Sequence, residues 1–215
     1  MAVKQQLEIP PVPNLGASGI AYSQEVQNQN NGSLRTFFIK LVNAVQALTS
    51  SGGGKYINYP FGAFQSLADQ AIVSANTAYA MTLDTTDFSN GVTLSNSSRI
   101  NVTNAGLYNL QWSGQFQNTD TQLHDVSVWL RVNGTDVTGS TGFISVPNSH
   151  GGIDGHTISG WNYFLQLAQN DYVELYWSAT NTPVSLQFYP AQTSPTRPST
   201  ASLIVTMTFV SNLPD

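Results

Sequence analysis

The chain carries three histidines, and two of them bracket one short segment, His-Gly-Gly-Ile-Asp-Gly-His at residues 150–156. His150, Asp154 and His156 would put two imidazoles and a carboxylate on one loop, and the glycines would let the backbone wrap an ion. That makes the segment the most ligand-like cluster in the sequence. A closed metal site needs a fourth ligand, however, and no second segment offers an obvious one. Gly-rich hairpin loops with polar tips are also common in β-sandwiches. A plain loop, or hydrogen bonding between subunits, is therefore the expected use, and no metal or cofactor is assigned.

Catalysis asks for converging groups. His124 and Asp125 are neighbours, and neighbours in a strand point to opposite sides, which makes them a poor base and orienter. Asp84 and Asp87 stand three apart on an expected turn, and Asp120 sits at another. Capping and solvation explain them better than a carboxylate pair held across a cleft. Cysteine is absent, which removes thiolate nucleophiles, sulfur metal ligands and disulfides together. Asn31, Asn96, Asn101 and Asn133 open N-x-S/T triplets, which say nothing about glycosylation without a signal segment. No enzymatic activity is expected.

Aromatic residues give the stronger signal. Tyr108, Trp112, Trp161 and Tyr163 alternate with polar residues and read as core, and Trp177 shares a face with Val173 and Leu175. Trp129, with Arg131, falls on the face opposite Val128 and Leu130. A large ring there packs against another subunit, joins a second layer of core, or offers a platform for a sugar or protein. The subunit interface is the preferred reading.

The elements that position these side chains fall into three parts. Residues 1–32 read as an extended arm, because Pro10, Pro11 and Pro13 restrict the backbone and Gly16 and Gly19 follow. It is either a disordered tail or an anchor that orders on a partner. Residues 33–54 hold a helix and a joint. Ser33 is a fair N-cap, and Leu34, Phe38, Leu41, Val45 and Leu48 recur at steps of four and three, an a/d seam over two heptads. Phe37 and Ala44 widen the stripe toward a three-stranded bundle or packing under a domain, and Gly52 to Gly54 end it flexibly. From residue 55 to 215 the period switches from 3.6 to 2. Alternating runs cover 106–116, 125–134, 157–167, 172–179 and 202–210, with shorter strands near 59–65, 77–83, 91–94, 99–103 and 185–189. Eight to ten short strands without long crossovers demand an all-β, two-sheet antiparallel fold.

Composition narrows the partners. Only 9 % of residues are charged, against about 25 % in ordinary domains. Three Lys and four Arg, scattered through a chain of formal charge −5, cannot form a phosphate-neutralising face, so nucleic acid is not an expected partner. The opening Met-Ala-Val-Lys-Gln-Gln-Leu-Glu-Ile-Pro has no apolar signal core, and no stretch approaches a membrane span.

Two segments carry a family resemblance. Arg99 to Gln111, with Gly106, Tyr108 and Leu110, resembles the central signature of the C1q/TNF-like jelly roll. Phe164 to Leu175 resembles its later element, with Leu165, Leu167, Asp171, Val173 and Leu175 aligned and Asn170 where the family usually has Gly. The closing Phe-x-Gly-x-x-Leu motif is missing from 202–210. More narrowly, residues 78–92 and 124–136 look like segments of structural proteins of tailed bacteriophages, especially fibre, appendage or decoration proteins. The resemblance implies a jelly roll and a compact homotrimer whose N-termini gather at one end, with Leu34, Phe38, Leu41, Val45, Leu48 and Trp129 as interface residues. It implies a virion component made in a bacterial cytoplasm, bound to other virion proteins through residues 1–32 and able to meet a host-surface glycan or protein. A soluble trimeric C1q- or lectin-like recognition module is the alternative.

Overall fold

The computed structural model describes residues 9–16, 23–50 and 58–213. They fall into two units that divide between Asn58 and Tyr59. The Gly52 to Gly54 joint and the boundary expected at residue 55 lie outside the described residues.

The first unit contains one helix, α1 (Gln24–Thr49). It begins well before Ser33, so residues 24–32 are helix rather than arm. Ser23 is its cap, with extended backbone and a side chain that accepts from the Val26 N–H at 3.4 Å, and Glu25 stands in the first turn where the helix dipole favours a negative charge. The early turns are hard to see in sequence because Gln, Asn and Gly32 supply no apolar period there. Residues 9–16 have no regular structure and return along this helix. The Gly16 N–H donates to Asn30 Oδ1, and Asn30 Nδ2 donates back to the Gly16 carbonyl, both at 3.0 Å.

The second unit contains, in chain order, β1 (Phe61–Ser66), β2 (Gln70–Ala71), β3 (Tyr79–Ala80), β4 (Thr85–Asn90), β5 (Val92–Ser95), β6 (Arg99–Val102), β7 (Gly106–Asn118), β8 (His124–Val132), β9 (Thr135–Asp136), β10 (Gly142–Val146), β11 (Gly155–Leu167), β12 (Tyr172–Ala179), β13 (Val184–Leu186), β14 (Gln192–Thr193), β15 (Thr196–Arg197) and β16 (Leu203–Ser211). One sheet runs β2-β13-β7-β16-β1-β4, with β11 also paired to β7; the other runs β10-β8-β12-β6-β5, with β3 and β9 appended. These strands pair antiparallel, β11 matching β7 along the whole of its thirteen residues from Gly155↔Asn118 to Leu167↔Gly106. The chain crosses repeatedly between layers, with β1, β7, β11 and β16 in one and β6, the β8–β10 pair and β12 in the other, which is jelly-roll wiring. The fold is an all-β, two-sheet antiparallel jelly roll preceded by a helix.

Alternation places the core. Tyr108, Leu110, Trp112 and Phe116 from β7 and Leu203, Val205 and Met207 from β16 are buried against Val126, Val128 and Leu130 from β8 and Val173, Leu175 and Trp177 from β12. Phe116 and Trp177 meet between the layers with ring centroids 6.0 Å apart. The turns follow their residues: Asn133 (φ 51°) and Gly134 (φ 80°) form the two-residue connection from β8 to β9, and Asn170 (φ 67°) takes the left-handed position between β11 and β12. Besides the two-residue strands β2, β9, β14 and β15, two longer strands differ from expectation. Residues 85–90, read as a turn around Asp87, form β4, and 142–146, left without an element, form β10. Both are short and rich in Gly, Ser or Thr, so their period is weak.

Candidate functional site

The residues that carry the family resemblance turn out to be structural. Tyr108 is buried, and its hydroxyl donates to the Asn104 carbonyl at 2.8 Å. Gly106 has no room for a Cβ, which would lie 2.3 Å from the Phe209 ring. Asp171 accepts from the Ala168 N–H at 2.8 Å and from Asn133 Nδ2 at 2.7 Å, tying two turns together. They specify the sandwich and leave function to the surfaces.

The loop at 150–156 is a tight hairpin. His150 and Ile153 exchange backbone hydrogen bonds across Gly151 and Gly152, which take φ of 62° and 79°. Its three candidate ligands are used separately. Asp154 accepts from Gln117 Nε2, while His156 Nδ1 lies 3.2 Å from the Tyr189 hydroxyl and His150 is exposed. Among the described residues no three His, Asp or Glu side chains gather to hold an ion.

The acidic candidates also part company. His124 Nε2 meets Asp120 Oδ2 at 2.8 Å, and that hydrogen bond is the largest influence holding the Asp120 carboxyl below its ordinary range. Asp125 turns the other way and accepts from Ser145 Oγ at 2.6 Å. Asp84 accepts from the Leu67 N–H, and Asp87 from Gln65 Nε2, so the two do not face one another across a cleft. Each carboxylate is occupied by a structural partner.

Trp129 stands outside the buried core on the outward face of β8, half-buried beside the Tyr176 ring at 6.0 Å. Arg131 lies over the same Tyr176 ring, 3.8 Å from its centroid. Phe143, 80 % exposed and paired with Ser127, adds a further ring to this face. The reading of Trp129 as second-layer core is thereby replaced by an outward aromatic face. Trp161 and Tyr163, expected in the core, are half-buried. The Trp161 indole donates to the Tyr163 hydroxyl, which donates to the Ser140 carbonyl, while Trp161 packs edge-on to Trp112 at 4.5 Å.

The helix seam is the largest apolar feature of the first unit. No residue of α1 is buried, and Phe38 and Val45 are 56 % and 50 % exposed. Phe37 does not widen the seam as expected: it borders a groove with Pro10, Pro11 and Pro13.

One further feature was not anticipated from sequence. On the outward face of β7 and β11, Gln115, His156, Ile158, Tyr189, Arg197 and Thr200 line a cavity of about 350 Å3. Its parts come from segments far apart in the chain. The one sequence signal was the scarcity of cations, which makes each arginine conspicuous.

With this geometry in hand, the fold defines a class: a jelly-roll unit preceded by a helix with an uncovered apolar seam. No protein-family model matches the chain, and no curated protein matches its sequence.

Proposed function

We propose that the chain is a non-enzymatic structural protein of a bacteriophage particle. In this reading it is a homotrimeric fibre, appendage or decoration component, attached to other virion proteins through residues 1–32 and made in the cytoplasm of a bacterial host. The observation that carries the proposal is the seam of α1. Phe38 and Val45 fall at a positions and Leu34, Leu41 and Leu48 at d positions of one heptad register, and none is buried. The groove beside Pro10, Pro11 and Pro13 is bordered by Ser33, Thr36 and Lys40 at c and f positions and by Phe37 at a g position, on the flank of the seam. Half-exposed Val42 at an e position broadens the stripe beyond a two-stranded seam, in favour of three strands. The outward rings Trp129, Tyr176 and Phe143 supply the β unit with a surface that gains from contact, and few like charges oppose it.

Sedimentation equilibrium of the full chain tests the assembly: a trimer mass at micromolar concentration is expected, and a monomer mass removes it. Imaging of the protein in its native particle tests the location. The cavity at Arg197 favours a second reading, a soluble trimeric C1q- or lectin-like recognition module. Specific glycan binding by free protein that is missing from every particle would select that reading.

A further inference from the structure

The layer that contains β7 ends on β11, which pairs with β7 and with no other strand among the described residues. The longest of the other strands at the margins of the layers, β4, has six residues. β11 has thirteen, about 44 Å of edge at the usual rise of a strand. Natural sheets protect such edges with Pro, charged side chains or bulges. From Gly155 to Leu167 there is no Pro, Lys, Arg, Asp or Glu, and the register with β7 runs unbroken.

Backbone direction on β11 follows from Gln115 on β7. Its N–H donates to the Ser202 carbonyl and its carbonyl accepts from the Gln187 N–H, both at 2.9 Å, so both groups point away from β11. Alternation turns the groups of Leu110, Trp112 and Phe116 the other way, to meet Tyr163, Trp161 and Thr157. The residues between, His156, Ile158, Gly160, Asn162, Phe164 and Gln166, therefore aim N–H and C=O at the free edge, and all six are exposed. None of these backbone groups is bonded to another segment among the described residues. Solvent entering along the edge also accounts for the half-burial of Trp161 and Tyr163, whose partners Trp112 and Leu110 are buried.

We propose that this edge pairs with β11 of a second copy of the chain, antiparallel about a two-fold axis through Trp161. Strand addition of this kind draws its affinity from main-chain hydrogen bonds. A continuous sheet requires outward residues to face outward residues. With the axis at Trp161, Ile158 lies opposite Phe164 of the second copy, Gly160 opposite Asn162, and His156 opposite Gln166, each pair occurring twice. The two strands then exchange about twelve backbone hydrogen bonds, against about ten direct bonds in a typical interface. Moving the axis to Gly160 or Asn162 sets Ile158 opposite Asn162 or Gln166, so only the first register covers Ile158 and Phe164, 73 % and 58 % exposed, with one another. No like charges face each other across the pair. The contact does not rest on the seam of α1; where both form, β11 joins one trimer to the next. Its apolar part is small, so it forms at higher protein concentration than the bundle.

Amide hydrogen exchange and sedimentation of the full chain over a concentration series test the pairing. From micromolar to roughly a hundredfold higher concentration, exchange at Ile158, Gly160, Asn162 and Phe164 should slow by about tenfold or more. The amides of Thr157, Ser159, Trp161 and Tyr163, already bonded to β7, should not change, and the sedimenting mass should at least double. The chain has no cysteine of its own. His156→Cys chains mixed with Gln166→Cys chains should therefore be joined by a short bismaleimide, and neither variant should be joined to itself. Asn162→Pro removes an N–H from the free edge and none from the pairing with β7, and it should abolish the protection, as should Ile158→Lys. If the proline perturbs the strand, Ile158→Lys decides. Exchange at the first four amides that ignores concentration, protection shared equally by both sets, or cross-linking of either variant only with itself would each overturn the proposal. A monomer mass at micromolar concentration would remove the trimer alone, since the doubling at higher concentration reports on β11 separately.

Discussion

The indole N–H of Trp129 donates to Asp136 Oδ1 at 2.8 Å, and the same oxygen accepts from Arg131 Nε at 2.5 Å. One carboxylate thus fixes both large outward side chains of β8. Arg131 first, and Trp129 after it, hold the Asp136 carboxyl below its ordinary range. A depressed folded pKa means that the interaction is present in full above the ordinary aspartate value and is lost as pH falls through the lower, folded value. The Trp129 indole resonance should therefore stay fixed through neutral pH and move only below the usual aspartate range. Asp136→Asn should abolish that movement. A transition centred at or above the ordinary aspartate value would show that the carboxylate is not held by these partners.

Trp112 is 4 % exposed and sits opposite Trp161 on β11 and Val205 on β16. Replacing it with Ala leaves a cavity between the two layers, whose paired strands hold it open, at a cost of about 3–5 kcal/mol. Urea denaturation measures this directly. A loss under about 1 kcal/mol would mean that the surrounding strands collapse into the space.

Tyr108 and Trp112 illustrate what the sequence makes legible. Both were recognisable as core because a strand of thirteen residues repeats the inward–outward alternation many times, and β7 carries it from Gly106 to Asn118. The turn asparagines were equally legible, since a positive φ is a local requirement with few residue solutions. The Arg197 cavity was not. His156 and Tyr189 meet through the pairing of β7 with β11 and the path of residues 187–202, and no local period records such a meeting. The start of α1 was missed for a different reason, because a polar helical segment has a cap but no stripe.

The seam of α1 makes a third prediction. Phe38→Asp places a charge at the middle of the apolar stripe and should raise the dissociation constant of the assembly without altering the thermal unfolding of the β unit. A chain beginning at Tyr59 should keep its sandwich, and sedimentation should show it dissociating at higher concentration than the full chain. Identical dissociation constants for the two would place the helix outside the interface.

Ser23 makes the arm separable from the helix. Deleting residues 1–22 spares the cap and every turn of α1, whereas deleting 1–32 removes the first turns as well. Both truncated chains should lose attachment to the particle, and only the longer deletion should also lower helicity by circular dichroism. Wild-type occupancy on particles after the shorter deletion would rule out the arm as the anchor.

The position of β16 has a consequence for how the protein comes to be folded. Leu203–Ser211 lies between β7 and β1, so the middle of one layer is supplied by residues near the end of the sequence. During synthesis β7 emerges long before either β11 or β16, with an apolar face and two unpaired backbone edges. Its contacts are almost all non-local, which makes loop closure costly and folding slow. The nascent chain therefore cannot complete this layer on the ribosome until residue 211 has emerged. Until then the edge of β7 that β16 will cover is open to pairing with a neighbouring nascent chain.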